Sequence, residues 1–415
     1  MPNRELSIHR NGEKIAYLFD QGADDWQLLY SAAEVNEQRV SVRFPVREQA
    51  YQSKDVRAFM RNLLPGTELC RSAARLLGIT PGNDLAMITE LCRETVGALR
   101  FYPSGNDLQG GGALRSLSDA ELRNLFAVLP IDPMLTQIEG YRGSLPGEHP
   151  KLRVHVVNDE ISLPLGETLS THIVKPAYDD RRESLENESF CTALASGLGL
   201  PVVELDFVRA PSNYLLIKRF DRRWDDGQIK CLHAEDFCQL ALLQPENAFQ
   251  REGGLSPADC VDLLRAYSVQ PGVDIKYFIY WVIFNFLIGN GSANAKQLAL
   301  VHSQEGPKLA PFYGLSCSHV YPTMNQNMGL HLGHEARPDW MIPARWREFA
   351  ISAGVRPKYV LELLESLSAE LIALVPQVEA RWQQVNGYAG ITGSIRKLIE
   401  RRARQIVVSL QAEAA

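Results

Sequence analysis

The sequence predicts an α+β chain built as two lobes, a strand-rich N-terminal part and an all-helical C-terminal lobe. Three observations carry that expectation. Short apolar runs with strand-like alternation, bounded by turn residues, concentrate before about residue 220. From Ala234 onward the apolar residues take helical spacing, as in the stripe Val360, Leu363, Leu364, Leu367, Leu371 and Leu374. Between these regimes the most apolar run of the chain, ending at Tyr277–Ile288, passes directly into the polar loop Gly289–Gln297.

Taken in order, the N-terminus reads as a strand entering an Asn11-Gly12 turn, and Val40–Phe44 alternates like a half-buried strand. Lys54–Leu64 and Glu68–Leu77 read as helices split by Pro65-Gly66. Residues 104–112 hold four glycines in nine and are expected to be a linker. It would separate an N-terminal subdomain (1–103) from a strand-rich lobe (113–220) and a helical lobe (221–415). Ser118 and Glu121 form a capping box for a helix that stops before Pro130. Residues from about 139 to 220 read as strands with one helix, Leu185–Gly197. The Val360–Leu374 stripe is expected to close at Pro376. A last helix around Ile395–Leu410 should carry Arg396, Lys397, Arg401, Arg402 and Arg404 on and around its exposed side.

Composition narrows the classes. With 415 residues, 45% hydrophobic and 22% charged, the chain has ample material for two or three domains. A net charge of −6 excludes a generally basic nucleic-acid binder, so direct nucleic-acid binding is not expected. The seven cysteines include no C-x-x-C pair, which fits free thiols and a reducing cytoplasm. Cys231, His233 and Cys238 lack a second ligand pair at finger-like spacing, and so do His331 and His334, so structural roles are expected for them. No apolar leader is visible at the N-terminus, and Tyr277–Ile288 falls short of the roughly 20 residues of a spanning helix. A buried helix and a cytoplasmic protein, with no membrane contact, are the expectations.

A buried helix ending in a suspended polar loop, below a strand-rich lobe, is the layout of a kinase-like two-lobed fold. The motifs give that layout its chemistry. Lys175 lies near the end of the strand-like Thr171–Pro176, and Glu188 follows thirteen residues later on a helix. A strand lysine held by a helix glutamate is how kinase-like sites position nucleotide phosphates. Upstream, the loop Ser144–Lys151 has the glycine and lysine that let a backbone lie over phosphates. Leu215–Arg222 is a strand ending in charge, suited to an inter-lobe hinge.

These pieces, with N-L-L-P-G (Asn62–Gly66), V-G-A-L-R-F (Val96–Phe101), G-L-G-L-P (Gly197–Pro201) and A-E-D-F-C-Q (Ala234–Gln239), resemble in sequence and order the HipA family of bacterial toxin–antitoxin serine/threonine kinases. The resemblance implies that Lys175 contacts ATP phosphates with Glu188 as its ion-pair partner. It implies that Lys218, Arg219 and Phe220 form the adenine hinge, and that Pro146, Gly147, Glu148, His149, Pro150 and Lys151 form the covering loop, with His149 in place of the usual glutamine. It implies that Lys296, in the catalytic loop, binds nucleotide, and that Ser144 matches the serine on which family members autophosphorylate. It also implies a HipB-like helix-turn-helix partner, and DNA only through it.

The catalytic loop departs from the family. Where the pattern resembles G-N-x-D-x-H-x-K-N, this chain has Gly289-Asn-Gly-Ser-Ala-Asn-Ala-Lys-Gln297. Ser292 replaces the catalytic aspartate, Asn294 the histidine and Gln297 the metal-binding asparagine. Further on, Gly314 stands where the second metal-binding aspartate belongs. A hydroxyl does not replace a carboxylate base worth roughly 10²–10⁴-fold. Mg²⁺ favours carboxylate oxygens, and neutral side chains or none remain. ATP binding is therefore expected to be weak and Mg²⁺ binding lost. Three readings stay open: a pseudokinase acting by binding, an active kinase that recruits Asp221, Glu235 or Asp236, and a corepressor working through its partner.

Overall fold

The computed structural model describes residues 5–22, 25–31, 38–105, 111–177, 180–209 and 212–414. Strands β1 (Glu5–Arg10), β2 (Glu13–Asp20), β3 (Trp26–Tyr30), β4 (Tyr51–Gln52) and β5 (Leu99–Pro103) pair antiparallel in the order β4-β3-β2-β1-β5. The β1–β2 hairpin turns at Asn11 and Gly12, whose φ values of 49° and 88° need the left-handed region both residues tolerate. Helices α1 (Lys54–Arg61), α2 (Thr67–Leu77) and α3 (Asp84–Leu91) share one core with this sheet through Leu28, Phe59, Ala73 and Ile88.

Val40–Phe44 is a tight turn and not a strand, with a single bridge between Ser41 and Phe44. Val40 and Phe44 are buried, but so is Ser41 between them, so the burial does not follow a strand's alternation. The turn's backbone is satisfied by side chains. The Tyr30 hydroxyl accepts from the Val40 N–H and donates to the Phe44 carbonyl, while the Val42 N–H donates to Glu235.

The second sheet contains β6 (Gly112–Ser116), β7 (Leu152–Val157), β8 (Glu160–Gly166), β9 (His172–Pro176), β10 (Leu205–Val208) and β11 (Tyr214–Lys218), in the order β10-β11-β9-β7-β8-β6. Most of the expected linker, residues 106–110, lies outside the described residues, and Gly112 already belongs to β6. Helix α4 (Asp119–Val128) opens on the Ser118/Glu121 capping box. Helix α5 (Ser184–Gly197) is buried along most of its length.

The C-terminal lobe is helix-dominated without being all-helical. It carries the hairpin β12 (Arg222–Asp225) and β13 (Gln228–Cys231), and a small sheet β14 (Ala234–Asp236), β15 (Ala299–Ser303) and β16 (Gly306–Leu309). These strands are three to five residues long, too short to display a period. The helices are α6 (Phe237–Ala241), α7 (Pro257–Tyr267), α8 (Pro271–Ile288), α9 (Pro343–Ser352), α10 (Pro357–Asn386) and α11 (Gly390–Ala414). Among the described residues α8 alone is long and apolar enough to cross a membrane, and Phe278, Trp281, Phe284 and Leu287 bury it in the lobe's core.

Two expectations about this lobe change. Pro376 lies inside α10 and does not end it. The helix runs on because Trp382, beyond the proline, is fixed: its ring stacks on Phe207 at 5.9 Å and its Nε1 donates to Ser189 Oγ at 3.0 Å. Arg402 is not on the exposed side of α11. It continues the Ile395, Ile399 and Ile406 stripe, is 5% exposed, and donates to the Phe286 carbonyl near the end of α8 and to His319.

Candidate nucleotide site

The cleft between the second sheet and the helical lobe is built around Lys175 on β9 and Glu188 on α5. Lys175 Nζ donates to Glu188 Oε2, so the strand lysine and helix glutamate meet as their spacing suggests. α5 is held in turn by Asn187, which donates to the Cys317 carbonyl and accepts from the Cys317 N–H.

The loop Ser144–Lys151 is fastened to the N-terminal subdomain. Ser144 is fully buried; its hydroxyl donates to the Leu63 carbonyl at 2.5 Å and its N–H to the Glu94 carbonyl at 2.7 Å. The Gly66 N–H donates to the Gly147 carbonyl, and a Cβ on Gly66 would lie 2.3 Å from the Glu148 carboxylate, which would have to swing aside. Lys151 folds back to donate to the Pro146 carbonyl, closing the loop across Pro150. Burial, and then the Lys175 charge, push the Lys151 ammonium down to about 8. Burial, followed by Lys175, Arg181 and Lys151, holds His149 at about 3. His149 is therefore neutral at pH 7, in a pocket whose neighbours are cations. That field suits an anion.

The hinge residues divide. Lys218 points outward to Glu204 at 2.8 Å, and Arg219 is buried in a network away from the cleft. In that network Glu94 pairs with Arg153, Arg219 and Arg222, and Asp221 pairs with Arg219 and Arg222. Burial alone would raise the Glu94 carboxyl, but the three guanidinium charges hold it well below the usual carboxylate range. Phe220 stacks on Tyr313 at 5.8 Å, and the Tyr313 hydroxyl donates to the Lys296 carbonyl.

The loop after α8 keeps a defined path. Gly289 caps the helix with φ 75°, and Asn290 Nδ2 donates to Asn285 Oδ1. The Ser292 N–H donates to Asn290, and Asn294 caps the following short turn by accepting from the Lys296 N–H. Lys296 Nζ donates to Asn62 Oδ1 at 2.6 Å and Asp236 Oδ2 at 2.8 Å, so its charge is already paired. Gln297 and Gly314 are neighbours: a Cβ on Gly314 would lie 3.4 Å from Gln297 Nε2. The two positions that the resemblance implies for metal thus face each other with an amide and no carboxylate. That pair offers Mg²⁺ none of the carboxylate oxygens it favours.

The three carboxylates considered as substitutes are all engaged. Asp221 is inside the arginine network. Glu235 accepts from Ser41, Val42 and His302. Asp236 caps α6 by accepting from the Gln239 N–H and pairs with Lys296. Cys231 and Cys238 are buried free thiols, both pushed up by burial.

The chain matches the family model for the HipA N-terminal domain over residues 6–102 and that for the HipA-like C-terminal domain over residues 143–375. It is 30% identical to the kinase-named protein Y4mE of Sinorhizobium fredii, over 90% of this chain and 92% of that one. The chain belongs to the HipA family. Another HipA-family relative, the serine/threonine-protein kinase toxin HipA of Shewanella oneidensis, is 26% identical over 79% of each chain. A structure of S. oneidensis HipA with HipB and operator DNA matches at a TM-score of 0.80, with 22% identity, over 97% of this chain and 96% of that one. The kinase-like HipA fold is thereby shown.

Sequence reading missed Asn62 and Tyr313 as cleft residues, and named Asp236 only as a carboxylate an active kinase could recruit. Asn62 and Asp236 lay inside motifs quoted for the resemblance, N-L-L-P-G and A-E-D-F-C-Q, but only the fold brings both to Lys296.

Proposed function

We propose that this HipA-family protein is a pseudokinase of a toxin–antitoxin-type system. It holds ATP weakly through its phosphates and acts by binding rather than by phosphoryl transfer. The observation that carries the reading is the contrast within one cleft: the Lys175–Glu188 pair is formed, while Ser292, Gln297 and Gly314 bring no carboxylate to the reacting end. Transfer needs a metal or equivalent charge on the γ-phosphoryl group, and that term dominates this chemistry. The engagement of Asp221, Glu235 and Asp236 in other contacts disfavours an active kinase with borrowed groups. The partner we propose is a HipB-like helix-turn-helix protein, with DNA reached through it. Support for it is the likeness to a HipA solved with HipB and operator DNA.

The test is incubation of the purified chain with ATP, Mg²⁺ and Mn²⁺, followed by intact mass and peptide mapping. No phosphoryl addition is expected, and Ser144 should stay unmodified. Stoichiometric phosphorylation would overturn the reading.

A further inference from the structure

We infer that His233, Glu235 and His302 form a binding site for a divalent transition-metal ion, zinc by its ligand set, at the seam between the N-terminal subdomain and the helical lobe. The site is separate from the nucleotide cleft and does not depend on the reading given for it.

Strand geometry assembles the three side chains. His233 immediately precedes β14 and Glu235 lies within it two residues on, a spacing that in extended backbone sends both side chains to one face. His302 lies on the neighbouring β15, where its N–H donates to the His233 carbonyl at 2.8 Å, and the two imidazole rings sit 4.9 Å apart. Glu235 Oε1 is 2.9 Å from His302 Nε2 and 3.7 Å from His233 Nε2. One ligand atom from each residue lies within 4.8 Å of the other two. Atoms bound to tetrahedral zinc at about 2.0–2.2 Å are themselves roughly 3.4 Å apart, so small side-chain shifts suffice.

A buried carboxylate stands ready for a cation here, against the opposing charge of the Arg10 guanidinium that acts on Glu235 and His233. Glu235 is fully buried, and among the described residues its ion-pair partners are these two imidazoles. Its carboxylate is oriented from the far side by the Ser41 hydroxyl on Oε2 and the Val42 N–H on Oε1, the role outer-shell donors play at metal centres. The Val40 carbonyl accepts from His233 Nε2 at 3.0 Å, so coordination through that nitrogen requires the ring proton to move to Nδ1. Two imidazoles with one carboxylate suit zinc, whereas Mg²⁺ or Ca²⁺ would demand six or more oxygens. All three ligands come from the helical lobe, and Val40, Ser41 and Val42 of the N-terminal subdomain meet them only through hydrogen bonds to His233 and Glu235, so an ion there would order that seam contact indirectly. The next residue, Asp236, pairs with Lys296, which places the site one residue from the cleft.

The full-length chain, stripped with a chelator, should take up one equivalent of Zn²⁺. With Co²⁺ it should show the visible absorption of a tetrahedral nitrogen/oxygen site without a thiolate band. His302→Gln, at the most exposed of the three positions, should lower zinc affinity at least tenfold and abolish the zinc-dependent rise in Tm. Substoichiometric uptake at micromolar metal, or unchanged affinity in His302→Gln, would overturn the proposal. If that variant fails to fold, the cobalt spectrum of the unaltered chain decides, and a thiolate band or octahedral spectrum overturns it.

Discussion

On the strand side of the cleft, β9 and α5 bring Lys175 and Glu188 into contact, and the covering loop is tied down through Ser144, Gly147 and Lys151. On the helical side, the loop after α8 keeps its caps at Gly289, Asn290 and Asn294 but presents Ser292, Gln297 and Gly314. One wall has both a fixed path and its ion pair; the other has a fixed path but no carboxylate at Ser292, Gln297 or Gly314. Holding a loop in place and doing chemistry from it thus rest on different residues. Backbone caps and glycine conformations set the first, and carboxylates set the second.

The largest expected effect restores the missing wall. The quadruple variant Ser292→Asp, Asn294→His, Gln297→Asn and Gly314→Asp should move phosphorylation from undetectable to measurable in a radiolabelled ATP assay. Gly314 has φ 65°, a region aspartate tolerates better than most residues, and its Cβ would lie only at contact distance from the present Gln297 amide, which Gln297→Asn shortens. Ser292→Asp alone should stay near background, because base and metal act as a unit. A folded quadruple variant that binds ATP with Mg²⁺ yet transfers nothing would show that the intact wall has drifted as well.

A second substitution tests the rigidity of the strand side. Glu94→Ala would leave Arg153, Arg219 and Arg222 buried around a lost partner, and breaking such a pair costs about 3–5 kcal/mol. Urea unfolding should show a loss of that order; a loss below 1 kcal/mol would mean the network does not hold the hinge.

A smaller effect concerns pH. Lys151 is lowered to about 8, so its charged form is disfavoured in the fold, and its contribution to stability improves as pH rises from 8 toward the unfolded value. ATP binding should run the opposite way, since phosphates favour the charged ammonium. Affinity should fall roughly tenfold between pH 7 and 9, with proton uptake visible in buffers of different ionisation enthalpy. A flat profile would place Lys151 outside the phosphate contacts.

Much of this contrast was legible in the chain. The thirteen-residue spacing of Lys175 and Glu188, the Ser118 capping box and the altered Gly289–Gln297 loop are local patterns, and local geometry carried them into the fold. What escaped were long-range effects. Arg402 reads as a surface cation until α8 offers it a carbonyl, and Pro376 reads as a stop until Trp382 is seen anchored on Phe207. Val40–Phe44 reads as a strand in sequence, but Tyr30 and Glu235 satisfy its backbone in place of a neighbouring strand. Glu94, Arg153 and Arg219 stand far apart in sequence and meet only in the assembled molecule.

The central claim is that the phosphate-holding wall survives while the metal site is gone. Titration calorimetry of ATP against the purified chain, with and without Mg²⁺, tests it most directly. The account predicts weak binding with the same affinity, within about threefold, in both titrations. A hundredfold gain on adding Mg²⁺, about 2.7 kcal/mol, would contradict it.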